Sequence, residues 1–174
     1  AVLLETAEGI MNAYSIVTAS PRIVAAFFGA VDYCADMRIP RTNLGEEQKV
    51  ARTIVAIAAR SAGIVALDAP FADYTNMDDF RQNTMDGRRM GYEGRMLIHP
   101  SQVPVAHELY SPTADEVTEA ETIKKFFEEE GLAKGLASVS LDGKMVDTPV
   151  YLSALNVLEF YEAIQAQEKV SNKQ

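Results

Sequence analysis

The chain has 174 residues, 16 basic against 25 acidic side chains, a formal charge of −9 and one cysteine. That length suits one domain with a real core, or one piece of a larger domain. The acidic balance argues against nucleic-acid binding, which needs basic surface to displace counterions from phosphates.

Cys34 has no partner for an internal disulfide and reads as a small buried apolar residue, which fits a reducing cytosol or organelle matrix. No apolar run approaches the roughly 20 residues of a membrane helix. Val2-Leu3-Leu4 meets Glu5 at once, so no signal peptide is read here. The expectation is a soluble protein with neither membrane nor nucleic-acid partners.

In chain order, Ala1-Val2-Leu3-Leu4 reads as a short buried strand with no polar lead, and the expectation is that something upstream is missing. Further apolar runs follow at Ile23–Phe28, Ile64–Leu67 and Met96–Ile98. All are apolar on consecutive positions, the pattern of strands covered on both faces. Between them, Glu46–Ser61 has helical spacing at Val50, Ile54, Ile57 and Ala58 and ends at Gly63, and Asp78–Met90 is a more polar helix. Repeated strand and helix imply a parallel sheet.

Beyond it, Thr113 with Glu116 reads as a capping box opening a helix with Val117, Ala120, Ile123 and Phe127 on one face. A Gly-containing stretch, Gly135–Gly143, leads to a last helix with Thr148 as cap and Pro149 as its first residue. That helix carries Leu155, Leu158, Tyr161 and Ile164, and the tail from Ser171 is polar. Four parallel strands fit either a small doubly wound sheet or half of an eight-stranded barrel, which takes about 250 residues. The core-like start favours the barrel.

In parallel α/β folds the ligand site lies at the carboxyl ends of the strands. Acids stand there: Glu5 after the first strand, Asp32 after the second, Asp68 after the third. One βα unit separates Glu5 from Asp32, which places them side by side. Two carboxylates facing one cavity repel unless a proton or cation lies between them, and hard oxygen ligands suit Mg²⁺. Gly29 fits either a plain turn or a close backbone approach to an anion. There is no phosphate-binding Gly-rich loop and no Cys/His cluster for zinc. His99 lies on the functional rim as a hydrogen-bonding residue or a catalytic one, and Ser101 is a candidate cap for a short helix. Asp147 lacks an obvious capping role, and local sequence does not choose its function.

Six stretches in this order resemble the citrate lyase beta subunit family, which includes malyl-CoA and citramalyl-CoA lyases. They are Leu4-Glu5-Thr6-Ala7; Phe28 to Tyr33; Ala51-Arg52; Ala62-Gly63-Ile64 leading to Asp68-Ala69-Pro70-Phe71; Ile98 to Gln102; and Asp142 to Asp147. The resemblance implies a (β/α)8 TIM barrel of which this chain holds the last four strands, residues 1–110, plus a C-terminal helical extension, residues 111–174. The family's upstream half, with an arginine that grips the substrate carboxylate, is not in this sequence.

The resemblance further implies Glu5 and Asp32 as Mg²⁺ ligands and the Gly29-Ala30-Val31 backbone as the holder of a keto-acid carboxylate. Asp147 becomes the catalytic acid, delivered by a neighbouring subunit of a homotrimer or homohexamer. Asp68, Pro70, His99 and Pro100 become weakly assigned coenzyme A contacts. The implied reaction is Mg²⁺-dependent cleavage of a 3-hydroxyacyl-CoA thioester to acetyl-CoA and a 2-oxo acid in the cytoplasm or an organelle matrix. The alternatives are a malyl-CoA thioesterase, a citrate lyase beta subunit in a larger complex, or a non-catalytic subunit or fragment.

Overall fold

In the computed structural model, which describes residues 1–171, the first three apolar runs become strands of one parallel sheet. They are β1 (Val2–Leu4), β2 (Ala25–Phe28) and β3 (Val65–Asp68), with β4 (Gly94–Arg95) beside β3. The fourth strand lies just upstream of the expected Met96–Ile98. Met96 N still bonds Asp68 O at 3.0 Å, but Ile98 N turns to the Gln102 side chain, so the apolar run leaves the ladder as a loop. The connecting helices are α1 (Ala7–Met11), α2 (Ala13–Val17), α3 (Ala30–Met37), α4 (Lys49–Ser61), α5 (Met77–Arg89) and α6 (Gln102–Tyr110).

The register separates the two faces of this sheet. Leu4 pairs with Phe28, while Phe27 pairs with Leu67, so Leu4, Ala26, Phe28, Ala66 and Asp68 share one face. All five are buried. Against them pack the apolar residues of the helices, including Tyr33, Val55, Phe80 and Tyr110. The opposite face carries Leu3, Phe27, Val65 and Leu67, and here Leu3 is 47% and Val65 39% exposed. The consecutive apolar pattern therefore reflects two apolar faces, of which the helices of residues 1–110 cover one. In α4 the buried residues are Ala51, Arg52, Val55, Ala56, Ala58 and Ala59, whereas Val50 and Ile57 point outward. Small alanines let this helix approach the sheet closely and carry one arginine inward.

The chain divides into two units, Ala1–Tyr110 and Ser111–Gln174. In the second, α7 (Ala114–Phe126) opens with the expected capping box: Thr113 Oγ1 accepts from Glu116 N at 3.2 Å, and Thr113 N donates to Glu116 Oε2 at 2.7 Å. A wide helical turn, Phe127–Gly131, extends it. The stretch after Gly135 is an antiparallel hairpin of β5 (Ser138–Leu141) and β6 (Lys144–Asp147). Its two-residue turn, Asp142-Gly143, has positive φ at both positions, 49° and 79°, the conformation that matches strand twist and that Asp-Gly favours.

The last helix, α8, runs Thr148–Ser171, so Thr148 is its first residue instead of its cap. Asp147 precedes it and accepts from Val150 N through Oδ1 at 3.2 Å. Among the described residues no helix is long and apolar enough to cross a membrane.

Candidate active site

Glu5 follows β1 directly. Alternation puts its side chain on the open face, the side of Leu3 and away from Leu4. Its exit is fixed on both sides: Leu4 O accepts from Gly29 N at 3.0 Å, Thr6 Oγ1 caps α1 by accepting from Gly9 N at 3.0 Å, and Asp36 of α3 accepts from Ala7 N at 2.7 Å. Across the sheet Gly29 opens α3 with no side-chain cap, and Asp32 lies in that helix's first turn. A Cβ on Gly29 would run into Glu5 Cβ and lie 2.6 Å from Glu5 Oε2. The glycine is thus required by the close passage of Glu5.

The Glu5 carboxyl is pushed above its ordinary range by burial, then by the charge of Asp32 and by a hydrogen bond to it. The two acids expected to be neighbours thus feel each other's charge, Glu5 part-buried and Asp32 exposed. Such a pair either shares a proton or holds a cation. Its donors are hard oxygens only, and no group of three or more His, Cys, Asp or Glu that could hold a metal occurs among the described residues. A two-carboxylate site fits Mg²⁺, which keeps waters and substrate oxygens in the rest of its shell. The uncapped start of α3 beside it, at Gly29-Ala30-Val31, is a place where helix N–H groups can meet an anion.

Asp68 belongs elsewhere. It ends β3 on the helix-packed face and is fully buried. Oδ1 accepts from Arg52 Nε at 3.1 Å and from Ala69 N at 2.9 Å, while Oδ2 pairs with Arg52 Nη2. Arg52, 1% exposed, also reaches Asn83 O at 3.3 Å. Burial lowers the Arg52 pKa and Asp68 raises it, and the balance keeps it above its ordinary value. A carboxylate so enclosed anchors the loop behind it, and its oxygens are engaged by Arg52 and Ala69 where it lines a small cleft with Pro70 and Phe71.

Arg95 completes this network, donating to Thr84 Oγ1 (2.6 Å), Ala69 O (2.7 Å) and Asn83 Oδ1 (3.2 Å) with its guanidinium over the Phe80 ring. Sequence reading gave no role to Arg52, Asn83 or Arg95. The usable signal was Arg52 itself, a charge within the apolar stripe of α4.

Pro70 is half-buried and lines a small cleft with Ala30, Arg41 and Phe71. His99 and Pro100 are exposed. Nδ1 of His99 lies 2.8 Å from Ser101 Oγ and accepts from Ser101 N at 3.2 Å, so the Ser101 hydroxyl is turned to this ring. His99 also stacks on Tyr74, centroids 4.5 Å apart and planes within 12°. Asp147 lies in the second unit, half-buried, with the capping bond to Val150. Cys34 is buried, as its composition argument required.

A parallel sheet flanked by helices, with carboxylates at its strand ends beside an open helix N-terminus, defines an α/β protein. Within that class, residues 1–100 match the HpcH/HpaI aldolase/citrate lyase family, and the chain belongs to it. It is similar to the citrate lyase beta subunit of Escherichia coli K12, 38% identical over 166 residues that cover 95% of this chain and 55% of that protein. It is also similar to the L-malyl-CoA/beta-methylmalyl-CoA lyase of Rhodobacter capsulatus, 31% identical over 163 residues, 84% of this chain and 51% of that one.

Among solved structures, CitE of Mycobacterium tuberculosis in complex with magnesium, acetoacetate and coenzyme A matches with a TM-score of 0.79 and 28% identity. That match covers 92% of this chain and 60% of that one. A citrate lyase from Burkholderia xenovorans shares the fold, with a TM-score of 0.81 at 20% identity. The chain spans about half the length of the curated relatives it matches.

Proposed function

We propose that the protein works as a Mg²⁺-dependent carbon–carbon lyase that cleaves a 3-hydroxyacyl-CoA thioester of the malyl, citramalyl or citryl type. The products are acetyl-CoA, or its propionyl homologue, and a 2-oxo acid. The observation that carries this reading is the Glu5–Asp32 pair at the strand ends, set against the bare backbone of Gly29.

Glu5 and Asp32 would hold Mg²⁺, which when bound supplies the positive charge that stabilises a developing alkoxide and orients substrate oxygens. The carboxylate of the 2-oxo acid fragment lies against the Gly29-Ala30-Val31 backbone at the positive end of α3, where the N–H groups of Ala30 and Val31 receive it, that of Gly29 being held by Leu4 O. The substrate hydroxyl gives up its proton to water as the C–C bond breaks; the bond's electron pair moves onto the thioester fragment as an enolate, and the former hydroxyl carbon becomes the carbonyl carbon of the 2-oxo acid. Asp147 gives a proton to the enolate carbon, and in the condensation direction its carboxylate removes the same proton.

The open sheet face with Leu3 and Val65 supports a barrel wall: the four strands are read as the last four of a (β/α)8 barrel formed by residues 1–110 with an upstream half. Residues 111–174 form its helical extension. A homotrimer or homohexamer in which a neighbour supplies Asp147 completes the reading, with the cytoplasm or an organelle matrix as its compartment.

The test is a panel of hydroxyacyl-CoA esters assayed with and without Mg²⁺, following both acyl-CoA and 2-oxo acid. Mg²⁺-dependent release of the two in equal amounts supports the lyase. Free coenzyme A without 2-oxo acid identifies a thioesterase instead, and no turnover of any ester by the full-length protein identifies a non-catalytic subunit.

A further inference from the structure

Gln102 stands at the start of α6 and is fully buried. Its amide serves two loops at once: Nε2 donates to Phe71 O at 2.9 Å, and Oε1 accepts from Ile98 N at 3.0 Å. Phe71 belongs to the loop after β3 and Ile98 to the loop after β4. Neither bond is part of a helix or a sheet ladder, so without this side chain each backbone group needs another partner. Two more links join the same region. Arg95, at the end of β4, holds Ala69 O at 2.7 Å, and at the surface His99 of the second loop stacks on Tyr74 of the first. Two rim loops that loops alone would leave independent are thereby tied into one wall.

That wall borders the carboxylate centre. Ala69, Pro70 and Phe71 line a cleft together with Ala30, two positions before Asp32 in the first turn of α3. With the acid end of a substrate at Gly29-Ala30-Val31, as the lyase reading has it, the neighbouring rim is where the long arm of the thioester and its nucleotide would lie. Half-buried Pro70, the exposed His99 ring and Tyr74, 46% exposed, give that arm an apolar and aromatic surface.

We propose that Gln102 is a positioning residue that fixes the spacing of these two loops and thereby sets the affinity for the coenzyme A portion of the substrate. It touches no reacting atom. The inference rests on the thioester-lyase reading and deepens it.

The experiment uses the full-length enzyme with Gln102→Met, which keeps the volume and removes both hydrogen bonds, and with Tyr74→Ala at the exposed link. Steady-state kinetics, calorimetric binding of coenzyme A itself and calorimetric binding of Mg²⁺ are measured for each. Gln102→Met is expected to raise KM for the thioester and Kd for coenzyme A about tenfold with kcat within about twofold, the pattern of lost binding shared by ground and transition states. Tyr74→Ala is expected to move both constants the same way by about threefold, through lost aromatic contact. Mg²⁺ affinity stays at the wild-type value in both.

Unchanged KM and Kd in both variants overturn the proposal while leaving the lyase reading intact. So does a Gln102→Met protein that loses kcat, coenzyme A binding and Mg²⁺ binding together while Tyr74→Ala is normal, since that is damage to the fold. A wild-type protein that turns over no ester and binds no coenzyme A overturns the lyase reading and the proposal with it.

Discussion

Glu5 lies across the unsubstituted backbone of Gly29, its Oε2 within 2.6 Å of where a Cβ would stand. The φ of Gly29, −101°, is open to any residue, so the glycine is demanded by crowding and not by backbone conformation. Gly29→Ala must displace Glu5 from Asp32. We expect a stable fold weakened by about 1–3 kcal/mol, the usual cost of overpacking, and a loss of Mg²⁺ affinity comparable to that of Glu5→Gln. Mg²⁺ calorimetry on the folded variant checks it; wild-type affinity would show that the Glu5 position does not matter to the cation.

The raised Glu5 pKa gives a pH dependence with a definite sign. Burial and Asp32 favour the protonated form in the folded chain. The stability this contributes is fully present below the ordinary glutamate pKa and is lost as pH rises through the raised one. A cation takes the proton's place, so its stabilising effect must grow over that same rise. Saturating Mg²⁺, at a hundredfold excess over its Kd at neutral pH, is expected to add about 2.7 kcal/mol there and less as pH falls into the carboxylate range, where protons compete. Thermal unfolding across that range, with and without Mg²⁺, measures it. Glu5→Gln should remove both the Mg²⁺ shift and its pH dependence. An equal shift at neutral pH and in the carboxylate range would rule out Glu5 as the group the cation contacts.

Of the acids at the strand ends, Glu5 interacts with Asp32 while Asp68 pairs with Arg52, and one position explains the difference. Composition marks all three as acids at the carboxyl edge. Side chains alternate along a strand, so Glu5, one residue past the Leu4 row, faces the open side, while Asp68, in the Leu4–Phe28 row itself, faces the helices. Which row a terminal acid occupies depends on register, and register is a property of the pairing.

The same limit hid Arg52 and Arg95, whose value lies in partners far along the chain: Asp68, Asn83 and Ala69. Local chemistry was more legible. Thr113 with Glu116 forms the box their spacing implies. Asp142-Gly143 is the dipeptide a two-residue hairpin turn favours, and the cap of α8 is made by Asp147, one residue before Thr148.

Arg52 and Asp68 are both wholly buried, and each is the other's counter-charge. Asp68→Asn leaves a guanidinium in the core with its neutralising partner gone, which costs about 3–5 kcal/mol for a pair of this kind. Replacing both residues with apolar side chains of similar volume is expected to cost less than the single change, because no unpaired charge remains. Urea unfolding of the single and double variants gives the comparison. Mg²⁺ affinity of the folded fraction should stay at the wild-type value, since Asp68 lies on the face opposite Glu5. A single variant as stable as the wild type would mean that the pair contributes nothing to the core.

Asp147 combines a structural task with a proposed chemical one, and a single substitution separates them. Its Oδ1 caps α8 by accepting from Val150 N, a role asparagine fills as well as aspartate. Asp147→Asn therefore keeps the cap and removes only the exchangeable proton. We expect unchanged stability, unchanged Mg²⁺ binding and turnover reduced at least about a hundredfold, the scale of a general acid–base contribution. Asp147→Ala should add a stability loss of about 1 kcal/mol from the missing cap.

Mixing then tests where the acid acts. If Asp147 serves a neighbour's carboxylate pair, co-assembling inactive Glu5→Gln with inactive Asp147→Asn brings an intact Glu5 and an intact Asp147 together in some sites, and activity returns. If each chain uses its own Asp147, no site in the mixture holds both groups, and the mixed protein stays as inactive as its parents.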